Sequence, residues 1–179
     1  MHDWNVVATV HEGGYNQGKR FLEQFGPVHR TDFYNILVMR VGDHQLFLEA
    51  LRERTERNTE GFTSLARVIP VVETFTFQTP AEFETKSRHA VCAWLPVLAN
   101  KGFHLRMHRR GLKGKLSSMD EERFLDTYIL EALALAGTPG HINFDSPDAI
   151  IALESIGPRA GLSLWSSEEL ERYPCLHLD

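Results

Sequence analysis

Two periods divide the chain. Alternation of period two marks short strands, and recurrence of period 3.6 marks amphipathic helices. Residues 4–11 are rich in β-branched side chains and predict a strand, which Gly13-Gly14 breaks. Phe21, Leu22 and Phe25 share one helical face, predicting a helix over 15–25 that Gly26-Pro27 stops. Strands are expected over 28–32 and 34–41. Asp43 is placed to cap a helix over 44–59, with Leu46, Phe47, Ala50 and Leu51 turned inward. Residues 66–77 alternate toward Phe75 and Phe77 and read as a further strand.

A second unit begins at Thr79-Pro80-Ala81-Glu82, which combines an N-cap, a proline at the first helical position and a glutamate three residues on. Its helical region extends to about Asn100 and is expected to kink or split near Pro96, with Cys92 in the core beside Val91 and Trp94. Residues 103–109 predict a strand. Ser118-Met119-Asp120-Glu121 opens a helix that buries Phe124, Leu125, Tyr128, Ile129, Ala132, Leu133 and Ala136. Short apolar strands are expected over 149–154 and 161–165, and a last helical turn over Glu168 to Glu171. The fold class expected is α/β of the α+β kind. Strand–helix–strand–strand–helix–strand is the split βαβ pattern, so residues 1–78 are expected to form an N-terminal ferredoxin-like domain and 79–179 a second domain with a short tail.

The net charge of −5 would argue against a polyanionic partner if it were evenly spread. It is not. Residues 79–119 hold 8 Lys and Arg against 2 Asp and Glu, whereas residues 120–179 hold 3 against 12. A basic segment inside an acidic chain makes a polarised surface, which steers a polyanion to one face. At 42% hydrophobic and 24% charged residues the composition is that of a globular protein. No apolar run is long enough to span a membrane, and Met1-His2-Asp3-Trp4 does not open a signal peptide. Cys92 and Cys175 form no CxxC pair, so neither a disulfide framework nor a zinc site is expected, and a reducing cytoplasm fits the chain.

The basic segment centres on residues 103–116. On a strand, Phe103, Leu105 and Met107 point to the core, and His104, Arg106, His108 and Arg110 line the other face. Arg109, Lys113 and Lys115 are expected in a loop whose glycines, 111 and 114, let the backbone approach a ligand. Arg forks and Lys point charges suit phosphate oxygens, and the two histidines suit an unpaired base. Lys86, Arg88 and Lys101 are expected to extend the patch. His104 and His108 do not make a metal pair, because four residues along a strand separate them by about 13 Å. No metal and no cofactor is expected.

Four pieces of this region together resemble a THUMP domain: Phe103-x-Leu-Arg-x-x-Arg-Arg-Gly-x-Lys, then Ser117-Ser118-x-Asp-x-Glu-Arg123, then Asn143-x-Asp-Ser-Pro147-Asp148-x-x-Ile-x-Leu-Glu154, then Gly161-Leu-Ser-Leu164. They are similar to the THUMP part of tRNA 4-thiouridine synthetases and of THUMP-bearing tRNA methyltransferases, over roughly residues 79–165. The resemblance implies tRNA recognition near the acceptor stem and a preceding ferredoxin-like domain. Asp145 and Asp148 read as turn formers rather than catalysts.

No GxGxxG fingerprint, no GxxxxGK[ST] phosphate loop and no nucleophile elbow occurs in the sequence. The chain also ends about 14 residues after the last THUMP-like strand. The sequence therefore resembles most the tRNA acetylation adaptors, which are ferredoxin-like and THUMP units without a catalytic domain. That resemblance implies a non-catalytic tRNA-binding protein partnered by a modifying enzyme such as a cytidine acetyltransferase. The alternative is an interaction subunit whose basic ridge meets an acidic protein.

Overall fold

The computed structural model describes residues 3–57 and 59–178. Met1 and His2, which belong to the N-terminal stretch read for a signal peptide, lie outside them. Contacts divide the chain into two units, residues 1–70 with 170–179, and residues 71–169. The protein mixes helices and sheets, as an α+β fold does.

The first unit runs β1 (Val6–Val10), α1 (Tyr15–Glu23), β2 (Val28–Arg30), β3 (Ile36–Met39), α2 (His44–Arg57), α3 (Thr59–Thr63) and β4 (Leu65–Pro70). Its sheet has the order β2-β3-β1-β4, with every neighbour antiparallel. This is the split βαβ arrangement that the period changes predict. Asp43 caps α2 by accepting from the Leu46 amide at 2.9 Å. The inner face of α2 is Phe47, Leu48 and Leu51, whereas Leu46 is 70% exposed and Ala50 is exposed. Leu48 and Leu51, rather than Leu46 and Ala50, thus complete the stripe around Phe47. Edge-to-face contacts at 5.7 and 5.8 Å join Phe21, Phe25 and Phe47, and so lock α1 to α2.

Two expectations about this unit are corrected. Residues 66–77 are not one strand. β4 stops at Pro70, and β5 (Glu73–Thr76) joins the other sheet, so the chain divides after Pro70 rather than after residue 78. The tail also returns to the first unit. The Val68 amide donates to the Cys175 carbonyl at 2.9 Å, and Tyr173, Cys175, Leu176 and Leu178 are all buried. Hydrogen bonds from Arg172 and the Tyr173 hydroxyl, each at 2.6 Å, hold the Glu49 carboxyl down to about 2.

The second unit continues with α4 (Pro80–Cys92), α5 (Leu95–Leu98), β6 (Gly102–Arg110), α6 (Ser118–Leu135), β7 (His141–Ile142), β8 (Ala149–Ile156) and β9 (Arg159–Ser166). A last helix, α7 (Ser167–Arg172), leads into the tail. Its sheet has the order β5-β9-β8-β6-β7. β6 runs parallel to β8, which needs the α6 crossover between them. β8 is buried along its whole length, the signature of a central strand covered on both faces. Thr79 caps α4 by accepting from the Glu82 amide at 3.1 Å, and the helical region splits between Cys92 and Leu95, with Pro96 in the first turn of the short α5. The cap of α6 is Ser117 rather than Ser118. Cys92 is exposed and hydrogen bonded to the Tyr128 hydroxyl at 3.0 Å, not packed in the core as expected.

Two acids of α6 sit at a cost. Burial first, and then the neighbouring Glu84 charge, push the Glu121 carboxyl up to about 7. Burial and Glu122 likewise push Asp126 up to about 7. Both groups bind a proton more tightly folded than unfolded. Their contribution to stability is therefore complete below the unfolded values of 4.5 and 3.8 and is lost as pH rises through about 7. In urea titrations across this range, Glu121→Gln and Asp126→Asn are expected to flatten the decline in stability. Variants that keep the wild-type slope would refute the assignment. A second expectation concerns Gly61, where an added Cβ would meet the Phe21 ring at 2.2 Å and the Phe21 Cβ at 2.9 Å. Gly61→Ala should lower stability by about 1–3 kcal/mol in the same assay, the usual cost of overpacking.

Candidate nucleic-acid interface

β6 alternates as its sequence dictates. Phe103, Leu105 and Met107 enter a core with Phe83 and Val91 of α4 and Leu125, Ile129 and Leu133 of α6. His104, Arg106, His108 and Arg110 take the opposite face, in register with Ile150, Ala152, Glu154 and Ile156 of β8. The outer edge of β6 is closed at one point from above, where the Met107 amide donates to Glu122 Oε1 at 3.0 Å.

The opposite face is not the open basic ridge that alternation alone implies. Glu154 is wholly buried between the cations. It accepts from His108 Nδ1 at 3.0 Å on one oxygen and from Arg110 on the other. Burial would raise the Glu154 carboxyl, but the Arg110 guanidinium and the His108 ring outweigh it and hold the carboxyl below its ordinary range. Arg110 and His108 are thus spent on a structural charge cluster, their side chains 10% and 16% exposed. His104 is 1% exposed, donates from Nδ1 to the Asn143 carbonyl at 3.0 Å and lies 5.1 Å from the Phe144 ring. It cannot reach a base from there. Arg106 is half-buried opposite Ala152.

Arg109 lies in β6 rather than in the loop, on the Met107 side of the sheet, and its guanidinium donates to the Gly111 carbonyl. The loop from Gly111 to Ser117 then carries Lys113 and Lys115, both exposed. Gly111, Leu112 and Gly114 have φ of 87°, 56° and 80°. Leu112 tolerates its left-handed backbone because it packs on the core, and its carbonyl accepts from the amides of Lys115 and Leu116 at 3.0 Å. Leu116 is buried. Two apolar anchors therefore fix a loop whose lysines face water. Arg123, exposed in the second turn of α6 behind this loop, is a cation that the strand-centred reading missed. Its position beside the loop follows from the helix start at Ser117, which the sequence does signal.

The remaining expected residues stand apart. Lys86 is tied to Glu82 at 2.7 Å and to the Thr76 carbonyl at 2.6 Å. Arg88 is exposed and lies 5.9 Å from the centre of the Tyr128 ring. Both belong to α4, on the helix-covered face. Lys101 is exposed before the first residue of β6, about 30 Å along the strand from Arg110. The ten residues therefore do not form one patch. His104 and His108 answer to different partners, and among the described residues no group of three or more His, Cys, Asp or Glu could hold a metal ion. Nor is any described helix long and apolar enough to cross a membrane.

No protein-family model matches the sequence, and no curated protein matches it. Solved structures do share the fold. TrmN from Thermus thermophilus matches with a TM-score of 0.60 at 17% identity, over 89% of this chain and 44% of that one. A 4-thiouridine synthetase, solved as an RNA complex with bound ATP, matches at 0.55 and 12% identity, over 90% and 41%. A Listeria monocytogenes protein described as a predicted N6-adenine-specific DNA methylase matches at 0.54 and 17%, over 90% and 40%. At these identities the likeness shows the fold alone, one shared with TrmN and with a 4-thiouridine synthetase. The chain spans less than half the length of these three structures. The expectation of a non-catalytic protein is corrected on this ground. Structures with this fold include a 4-thiouridine synthetase with bound ATP and a protein described as a predicted methylase, and the position of this chain's end says nothing about catalysis.

Glu154→Ala should remove the shared partner of two enclosed cations. It is expected to cost about 3–5 kcal/mol in chemical denaturation, the usual penalty for breaking a buried pair. A loss under about 1 kcal/mol, the usual worth of an exposed pair, would show that Arg110 and His108 are solvated rather than held.

Proposed function

We propose that this chain binds tRNA for a modification reaction and grips its phosphates through the loop between β6 and α6. The observation that carries the proposal is that Lys113 and Lys115 are held outward on a loop fixed by Leu112 and Leu116. Arg109 and Arg123 flank this loop in sequence and structure and are proposed to extend the contact. A loop that is already ordered loses little entropy on binding, and lysines that face water can exchange their counterions for phosphates. The fold shared with a 4-thiouridine synthetase–RNA complex and with a methylase supports the reading, as does the clustering of basic residues in 79–119 of an acidic chain. The resemblance of the sequence to the acetylation adaptors adds a cytidine acetyltransferase to the modifying enzymes proposed as partners.

Arg110 is a poor probe of this proposal, because Arg110→Glu would set a second carboxylate against buried Glu154 and test folding instead. Lys113→Glu/Lys115→Glu alters exposed side chains alone. Labelled tRNA is titrated by anisotropy across a salt series. The wild-type chain should bind tRNA more tightly than a plain duplex of equal charge. The double variant should bind at least about tenfold more weakly at ~100 mM salt, with the salt slope reduced by about 1.4–1.8 for two lost phosphates. Equal affinity of both proteins for tRNA would sink the loop assignment. Binding to an acidic protein but not to tRNA would favour the interaction-subunit reading.

A further inference from the structure

An open depression of about 770 Å³ lies in the first unit, at the end of the sheet where the β1–α1 and β2–β3 connections meet. Its lining includes Tyr15, Asn16, Arg30, Asp32, Phe33 and Tyr34. Three rings, a guanidinium, a carboxylate and an amide converge there, and none of them takes part in the interface described above. Among the described residues neither Arg30 nor Asp32 has an ion-pair partner, so both charges are uncommitted.

The connection that carries Phe33 and Tyr34 is built rather than slack. Thr31 Oγ1 donates to the Ile36 carbonyl at 2.9 Å and accepts from the Phe33 amide at 3.1 Å. Val10 of β1 donates its amide to the Asn35 carbonyl at 2.9 Å, and Asn35 takes the left-handed backbone, φ 57°, that asparagine tolerates. Turn chemistry explains Thr31, Asp32 and Asn35. It does not explain two successive aromatic residues, of which Tyr34 is 76% exposed at a fixed position. With the half-buried Tyr15 and Phe33 rings lining the same depression, Tyr34 completes an aromatic surface at a fixed site rather than standing as a lone exposed ring.

We propose that this depression receives a single unpaired nucleotide of RNA. The inference rests on the RNA-binding reading above and assigns it a second contact. A nucleobase presents a flat π-face to a ring, and the sugar–phosphate and base edge present donors and acceptors to Arg30, Asp32 and Asn16. Stacking on exposed aromatics beside a cation is how unpaired nucleotides are held. The cavity is in the size range of small-ligand sites, large enough for one nucleotide and too small for a duplex. Tyr34 supplies the stacking face, Arg30 faces the phosphate or a base acceptor, and Asp32 accepts from a base N–H. The lysine loop supplies salt-dependent grip, and this site supplies a contact that depends on ring area rather than charge.

The test uses the full chain with two probes. One is a single-stranded RNA hexamer carrying 2-aminopurine, whose fluorescence is quenched on stacking, and the other is labelled tRNA. Tyr34→Ala removes an exposed ring and leaves no cavity, whereas Tyr34→Phe keeps the π-face. The hexamer should be quenched by the wild type and by Tyr34→Phe, and not by Tyr34→Ala. Tyr34→Ala should also weaken tRNA binding about tenfold, the size of one lost stack, without changing the salt slope. If Tyr34→Ala binds both probes as the wild type does, the nucleotide site is overturned while the lysine-loop reading stands. If tRNA does not bind the wild type at all, the lysine-loop reading fails, and the hexamer decides alone. Tyr34-dependent quenching then keeps the site and its absence removes it.

Discussion

A carboxylate cut off from water has to be met by positive charge or protonated. Glu154 is such a group, wholly buried in the central strand β8 of the second unit. The parallel register of β6 and β8 brings His108 level with it, and Arg110, two residues on, reaches its second oxygen. This cluster sets the division of labour along the basic segment. Cations on the β8-facing side of β6 near Glu154 are consumed inside the fold. Those beyond the strand, on the loop toward α6, are left to the solvent. A count of basic residues therefore overstates the charge available to a polyanion, and their position along the strand decides which ones remain.

The acids of the same unit follow a parallel logic. Glu122 leaves the surface to close an amide on the outer edge of β6, and Asp120 lends its amide to the Ser117 cap. Glu121 and Asp126 are crowded enough to hold protons near neutrality. Leu112 and Leu116 do the mechanical part by pinning the loop to the core while Lys113 and Lys115 stay outside.

In the first unit the controlling contact is made by residues distant in sequence. Glu49 of α2 gathers Arg52, Arg172 and Tyr173, and the tail behind them buries Cys175, Leu176 and Leu178. The β2–β3 connection of the same unit holds the Tyr34 ring outward on a fixed backbone, with Phe33 half-buried beside it.

The sequence determined what depends on neighbours a few residues apart. Period changes placed the first unit's strands and helices in the right order. Asp43 in the first unit and Thr79 and Pro96 in the second marked helix boundaries through caps and a missing amide, and alternation assigned Phe103, Leu105 and Met107 to the core. Tertiary structure decided whatever depends on which strand lies beside which. Residues 66–77 look like one strand because no polar turn interrupts the apolar run 68–72 that leads into the alternation toward Phe75 and Phe77, yet the two halves join different sheets. The tail carries too few apolar residues to announce that it closes a core. Glu154 lies 44 residues from Arg110, so no local pattern could show that it would neutralise the ridge. Tyr34 reads as the first residue of a strand over 34–41, and only the pairing of β3 with β1 from Ile36 onward left it outside the sheet and at the rim of a cavity. Local propensity is fixed by the chain, but charge pairing and exposure belong to surfaces that exist only once distant strands have met.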